Sequence, residues 1–461
     1  MAKAKTATRL GREPVGRLIR ELALPGIIAQ VINVLYNIVD RIYIGRIEDV
    51  GSLALGGLGI ALPVILLISA FSAFASSGGA PLASIAMGKE RYDEAERYLT
   101  TIAGFVLLLS ILLTAAGFIF LDPLLYFFGA QENNFIYAHD YMQIYLLGTV
   151  FVLGTLSLNS FISAQGEAMI AMRTVLIGAV SNIILDPIFI FLLNMGVRGA
   201  AAATVISQAL SFLSTILFLR SEKSSLKLKN IKIHPQHLKK CLALGVSGFT
   251  MMASESAVIT VFNRLLGFYG GELHVSAMVI MQSMIQLIFT PLMGYQMGVQ
   301  PLLSYNYGAG KKERVFKVMR ISFILLFSYA LIGSLFSVLF PQFAAGIFVG
   351  KNGDPGLLEI VERYLPVFMA GMTIFGLQMS AQIFFVGCNK PKYAVFLASL
   401  RKIILLIPLC FILSSKLGFF GVYLAEPISD ASSALTGGIL LLYQIRRYKA
   451  AGPADTLQHE V

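Results

Sequence analysis

Charged residues are scarce in this sequence. They make up 13% of its 461 residues, against roughly 25% in soluble domains. A chain that is 56% hydrophobic, with a mean hydropathy of +0.76, has too little polar surface to face water on every side. A large soluble domain is therefore excluded. Cysteine is nearly absent: Cys241, Cys388 and Cys410 are scattered and fit neither a disulfide framework nor a metal-ligand spacing. The sequence has no Gly-x-x-x-x-Gly-Lys-Ser/Thr, which excludes ATP-driven pumping by this chain alone. It also lacks His-Glu-x-x-His, and His139, His234, His237, His274 and His459 form no ligand pattern. Neither enzymatic chemistry nor a bound cofactor is expected.

What is present is apolar sequence in long runs. A spanning helix needs about 20 mostly apolar residues, and the pattern predicts twelve. They fall at about 22–45, 53–80, 98–121, 137–160, 170–193, 199–219, 242–268, 275–304, 318–340, 360–386, 394–415 and 419–444. The first run carries Asn33, Asn37 and Asp40 and no small-residue cleavage site, so it reads as a span and not as a cleaved signal peptide. The net charge of +11 does not indicate nucleic-acid binding, because the basic residues sit in short blocks between apolar runs. Lys and Arg concentrate in the N-terminal tail, in the loops after spans 2, 4, 6, 8 and 10, and in the C-terminal tail. The opposite loops hold Arg46, Arg198, Lys351 and Lys416. By the positive-inside rule both termini are cytoplasmic.

A shift of 220 residues brings the two halves of the chain into register. Leu22-Ala23-Leu24 meets Leu242-Ala243-Leu244, Gly78 to Ser84 meets Gly298 to Ser304 with Pro81 on Pro301, and Gly88 meets Gly308. With slips of one to three residues, Tyr141 meets Tyr364, Gly148 meets Gly371 and Gly199 meets Gly421. Six spans per half make the repeats parallel, related by an axis along the membrane normal. The expected organisation is an N-lobe over 1–220, a cytoplasmic linker over 221–240, a C-lobe over 241–445 and a tail over 446–461. Transporters place substrate sites between such repeats.

Ionisable residues at membrane depth are expensive and point to function. Asp40 in span 1 and Asp186 in span 5 are the clearest. Residues three and four apart share a helix face, so Tyr36 and Asn37 flank Asp40, and Asn182 lies one turn from Asp186. Pro187 cannot donate to the carbonyl of Ile183 and frees that oxygen. Freed carbonyls at broken helices recur in cation sites of transporters, so both carboxylates can act as proton carriers or cation ligands. The other reading of Asp40 is an ion pair with Arg41. Asp40 aligns with Thr260, and Asp186 aligns near Ile407. The scaffold is thus repeated, while the carboxylate pair occurs once. Glu255, Glu426 and Asp430 can attract a cationic substrate or hydrogen-bond between helices. Arg264, Arg363, Arg401 and Lys402 are expected near span ends, snorkelling to the interface. Met278, Met281, Met284, Met293 and Met297 suit either a permissive pocket or ordinary packing.

These residues resemble the multidrug and toxic compound extrusion (MATE) family along nearly the whole chain. The match is strongest from Pro291 to Gly310, in Asn37, Asp40 and Gly45 of span 1, and in Asn182, Asp186 and Pro187 of span 5. The resemblance implies an all-α integral membrane fold of twelve transmembrane helices in two pseudo-symmetric six-helix lobes around a central cleft. It implies a cell-membrane antiporter, working as a monomer, that exchanges H⁺ or Na⁺ for small organic, often cationic, drugs. By similarity to the DinF-like branch, the coupling site would comprise Asp40, Asn182, Asp186 and Thr204, with Na⁺ a possible occupant. Tyr36, Asn37 and Tyr141 would support it. Asn33, Asn159, Glu255 and Met281 are substrate-pocket candidates, and Pro25 matches the proline about which span 1 bends. The NorM-like branch carries an acid in span 10 that this sequence lacks. A flippase for lipid-linked saccharides is the alternative within the same superfamily.

Overall fold

A computed structural model describes residues 9–48, 50–343, 346 and 355–450; Lys351, both chain ends and the other remaining residues lie outside this description. The regular elements among the described residues are all helices, as a bilayer requires, because a helix satisfies its backbone polar groups internally. Twelve helical segments follow one another. They are α1 (Val15–Gly45), α2 (Gly51–Ala70, continuing through Phe74–Gly79 to Ala80–Gly88), α3 (Tyr92–Phe127) and α4 (Glu132–Leu147 and Thr149–Ala164). Next come α5 (Ala168–Pro187 and Ile188–Leu192), α6 (Gly196–Arg220), α7 (Pro235–Tyr269) and α8 (Glu272–Gly308). The last four are α9 (Lys312–Leu339), α10 (Pro355–Met369, Ala370–Ile374 and Phe375–Gly387), α11 (Pro391–Ser399, Leu400–Leu406 and Ile407–Leu417) and α12 (Phe419–Ala450). Ten are long and apolar enough to cross a membrane, and the two pieces of α4, bent by 57°, make an eleventh. The remaining one, α12, carries Glu426 and Asp430 within its length. Large apolar side chains such as Ile111, Ile119, Ile332 and Ile439 face outward, the inverse of a water-soluble surface.

Several helices are interrupted. In α2, Phe74–Gly79 forms a π-helical turn; in α5 another follows Pro187; a third lies at Leu400–Leu406 in α11. Such turns arise where the regular ladder cannot be completed, and they recur at functional sites. Irregular backbone at this depth is tolerated where protein surrounds it. The segment 221–234 between α6 and α7 is anchored by Gln165. Its Oε1 accepts hydrogen bonds from the backbone N–H of Ser225 and Leu226 at 2.6 and 3.0 Å. Residues 235–240, expected in the linker, instead form the start of α7, with Pro235 in the first turn. Proline suits that position because its missing N–H would have no partner there.

The halves meet along two glycine-lined crossings. A Cβ on Gly26 of α1 would overlap the carbonyl of Gly294 of α8, and one on Gly298 would overlap the carbonyl of Leu22. In the other crossing, a Cβ on Gly78 of α2 would overlap the carbonyl of Cys241 of α7. At one end of the seam, Gly88 meets the carbonyl of Tyr305, and Gly308 meets that of Ile85. Shifting by 220 residues exchanges these last two contacts, so the sequence repeat is also a repeat of contacts. The N-terminal segment crosses this end of the seam. Leu10 and Gly11 accept hydrogen bonds from Asn306, Lys311 and Arg314 at 2.8–3.1 Å, and Arg9 donates to the carbonyl of Gly166 at 3.1 Å. Burial and the neighbouring Arg314 and Arg12 lower the pKa of Lys311.

The backbone contacts leave no room for a side chain at Gly298. Gly298→Val is expected to lower the thermal unfolding midpoint of purified protein by several degrees or to abolish recovery of monodisperse protein. Gly59→Ala, where a Cβ meets nothing within 4 Å, is expected to be neutral or slightly stabilising, because glycine inside a helix costs about 0.5–1 kcal/mol relative to alanine.

Candidate functional site

Asp40 on α1 and Asp186 on α5 are buried, at 7% and 0% exposure, and their carboxyl groups lie beside each other. The α1–α5 packing brings them together, and the Pro187 turn ends the regular part of α5 just past Asp186. Asn182, one turn earlier, donates its Nδ2 to Asp186 Oδ1 at 3.0 Å and to Thr204 Oγ1 of α6 at 3.5 Å. Tyr141 of α4 lies beside Thr204 and near Asp40. Tyr36 lies near both carboxylates and Gln208. Four of the residues named from sequence thus form one cluster across α1, α5 and α6, with Tyr36 and Tyr141 beside it.

The free valences of this cluster are its main chemical feature. Asp40 Oδ1, Asp186 Oδ2 and Asn182 Oδ1 are all buried without a hydrogen-bond donor. A buried acceptor left unmatched is costly. Three of them on adjoining side chains, two being carboxylates, fit a hard monovalent cation or a proton. Arg41, the other partner considered for Asp40, is exposed, and Asp40 makes no ion pair among those described. Asn37 stands beside Tyr36 rather than at Asp40 itself. Its side chain is exposed and donates to the carbonyl of Asn33 at 2.7 Å. Its helix face is close to that of Asp40, but its rotamer points back along α1.

Next to the cluster lies a narrow, partly open cleft of about 80 Å³. Pro25, Asn33, Tyr36, Asn159, Gln208 and Met297 are among the residues that line it. Asn159 is fixed there by donating to the carbonyl of Ala171 at 3.1 Å and by accepting from Thr174 at 3.1 Å. The helix α1 runs unbroken through Pro25. Tyr36 belongs to both cleft and cluster, so the two are continuous. Met281 is fully buried in the packing of the C-terminal half and does not reach this cleft. Its size and flexibility are spent on core filling. Gln30 and Gln208 line the cleft but stood out by no sequence signal.

A second polar cluster lies in the other half. Arg401 and Lys402, expected to snorkel at a span end, are instead buried in the π-helical turn of α11. Arg401 pairs with Asp430 at 2.6 Å and with Glu426 at 3.4 Å, and its guanidinium lies 4.5 Å from the centre of the Phe375 ring. Lys402 pairs with Glu426 at 3.2 Å and with Glu255 of α7 at 3.5 Å. Carboxylates on the neighbouring spans replace the interfacial water to which those cations would otherwise have to reach. The opposite charges on α11 and α12 were the signal available in the sequence.

The family model MatE matches residues 25–188 and, a second time, 249–412. The chain belongs to the MatE family. The doubled match covers both halves and restates the internal repeat. Membership makes the protein a multi-pass membrane transporter of the multidrug-efflux type, not an enzyme. The multidrug export protein MepA of Staphylococcus aureus (strain bovine RF122 / ET3-1) is 26% identical over 441 residues, 94% of this chain and 95% of the relative. MepA of Staphylococcus haemolyticus (strain JCSC1435) is 25% identical over 451 residues, 96% of this chain and 97% of the relative. Among solved structures, a MATE protein in its bent conformation superposes with a TM-score of 0.88 at 22% identity, covering 96% of this chain and 98% of that one. A Pyrococcus furiosus transporter of the MOP superfamily, described as having a binding pocket of reversed polarity, gives 0.86 at 22% identity, covering 96% and 99%. These neighbours support the twelve-helix, two-lobe MATE fold.

The second cluster makes a stability prediction. Removing one partner of a buried ion pair typically costs about 3–5 kcal/mol, because a buried charge is left uncompensated. Arg401→Met is expected to lower the thermal unfolding midpoint markedly. The double variant Arg401→Met, Asp430→Leu should recover much of that loss, read as a double-mutant cycle on protein in nanodiscs.

Proposed function

We propose that this protein is a cation-coupled antiporter. It exchanges H⁺ or Na⁺ for organic, cationic amphiphilic compounds, and the coupling ion binds at Asp40, Asn182, Asp186 and Thr204. The carrying observation is the set of buried oxygens on Asp40, Asp186 and Asn182 that lack donors. Such a set is completed by a positive charge, and it adjoins a cleft through Tyr36. The lining of that cleft contains amides, a tyrosine, methionines and small residues and no charged residue of either sign, which suits an amphiphile, and the adjoining carboxylates favour a cationic one. A lipid-linked saccharide carries phosphate and would call for cationic lining, so the flippase reading is the less favoured of the two. The relatives named as multidrug export proteins support drug export in general.

The mechanism follows from linkage. Cation binding between α1 and α5 draws together two helices that also wall the cleft, so ion and substrate favour different arrangements of the same helices. Coupling is that difference in affinity between states. The lobes rock about the glycine-lined seam to give alternating access. Both termini lie on the cytoplasmic side of the cell membrane, which places the Gly88–Gly308 end of the seam there, and the protein acts as a monomer.

Ethidium efflux from proteoliposomes with imposed H⁺ or Na⁺ gradients tests this reading. Wild-type protein is expected to show efflux driven by one of the two gradients. Asp40→Asn and Asp186→Asn are expected to lose at least 90% of it while remaining folded. Wild-type rates in both variants would overturn the assignment of the site.

A further inference from the structure

The second cluster occupies the same place in the C-terminal half that the Asp40–Asp186 cluster occupies in the N-terminal half. By the 220-residue shift Lys402 stands where Asn182 stands. By the 222-residue offset that aligns Gly199 with Gly421, Glu426 stands where Thr204 stands. Each cluster sits by a π-helical turn, at Ile188–Leu192 in α5 and at Leu400–Leu406 in α11. The chemistry of the two differs in one respect. The N-terminal cluster has carboxylates and no cationic side chain bonded to them, whereas the C-terminal one holds an ammonium and a guanidinium.

In the C-terminal cluster two buried cations are matched by two buried carboxylates, and a third carboxylate, Glu255, adjoins from an exposed position. Arg401 and Lys402 face three carboxylates, Glu255, Glu426 and Asp430. Glu426 Oε2 and Asp430 Oδ2 are buried without partners. Glu426 Oε1 receives both cations, at 3.2 Å from Lys402 and 3.4 Å from Arg401. Arg401 is held from several sides, by Asp430, by the Phe375 ring and through its own carbonyl, which accepts from Ser429. Lys402 has only its carboxylate contacts among those described. It is the ion-like member of the group: a compact charge on a flexible stem.

We propose that Lys402 is a tethered cation, its ammonium filling a monovalent-cation site formed by Glu426 and Glu255 in the C-terminal lobe. The wild-type C-lobe site is therefore closed to mobile ions, and the exchange runs through the N-lobe alone. Removing the lysine charge opens the site to Na⁺ or to a proton, since the carboxylate oxygens stay in place and Arg401 alone does not neutralise them.

The test is made in an Asp40→Asn, Asp186→Asn background, so that the N-lobe contributes no ion and the outcome does not depend on the function proposed above. Binding of ²²Na⁺ and uptake of protons are counted on protein in nanodiscs. The background is expected to bind neither ion at this site. Adding Lys402→Met should gain one Na⁺ or one proton per molecule, and adding Glu426→Gln to that should remove the gain. Lys402→Arg should keep the site closed. A folded Lys402→Met variant that gains neither ion would overturn the proposal. Should Lys402→Met not be recovered, Lys402→Ala is purified in methylammonium and, in parallel, in choline. Recovery with methylammonium alone supports a tethered cation, and equal yields or none in both overturn it.

Discussion

Two carboxylates placed side by side at membrane depth are the constraint on which the rest of this structure turns. Asp40 and Asp186 come from helices distant in sequence, so their approach is made by the packing of α1 against α5 and serves no local folding need. Asn182 satisfies one oxygen of Asp186, and no Lys or Arg is paired with either carboxylate among the described residues. A structural ion pair would have supplied the cation from the chain, as Arg401 and Lys402 do in the other lobe. On the proposed reading, the N-terminal lobe leaves that position to a mobile cation.

The glycine crossings give the lobes their geometry. Backbone-to-backbone contact between α1 and α8 and between α2 and α7 allows close approach without side chains that interlock. Small residues at such crossings are the usual device in bilayers, where no hydrophobic force distinguishes a neighbouring helix from lipid. Because the contacts occur twice, related by the sequence repeat, the seam has two near-equivalent halves and can serve as a rocking axis. The two buried polar clusters lie one per lobe. The duplicated scaffold has diverged at these two positions more consequentially than in its packing.

Much of this was legible in the sequence. Apolar length and loop charge yielded the twelve spans, and aligned Gly and Pro yielded the repeat. Asp40, Asp186 and Asn182 were legible because intramembrane acids are rare and Asn182 lies one turn from Asp186, whereas Thr204, on another span, came only from the family resemblance. Other features depended on tertiary placement. Arg401 and Lys402 lie in a run whose register relative to the bilayer cannot be read locally, and only α12 supplies their partners. Asn37 shares the right helix face but turns its amide to Asn33. Met281 differs from the cleft-lining Met297 only in which neighbour covers it. Helix periodicity carries the face of a residue, not its rotamer or what packs over it.

The central claim is that a mobile cation binds directly between Asp40 and Asp186. Infrared difference spectroscopy of the protein in lipid, on switching Na⁺ or H⁺ concentration, observes carboxyl groups directly. The account predicts carboxyl difference bands that are present in the wild type, altered in Asp40→Asn and Asp186→Asn alike, and retained in Glu255→Gln. Bands unchanged by both N-lobe substitutions and lost in Glu255→Gln would contradict it, and would move the coupling site to the C-terminal lobe.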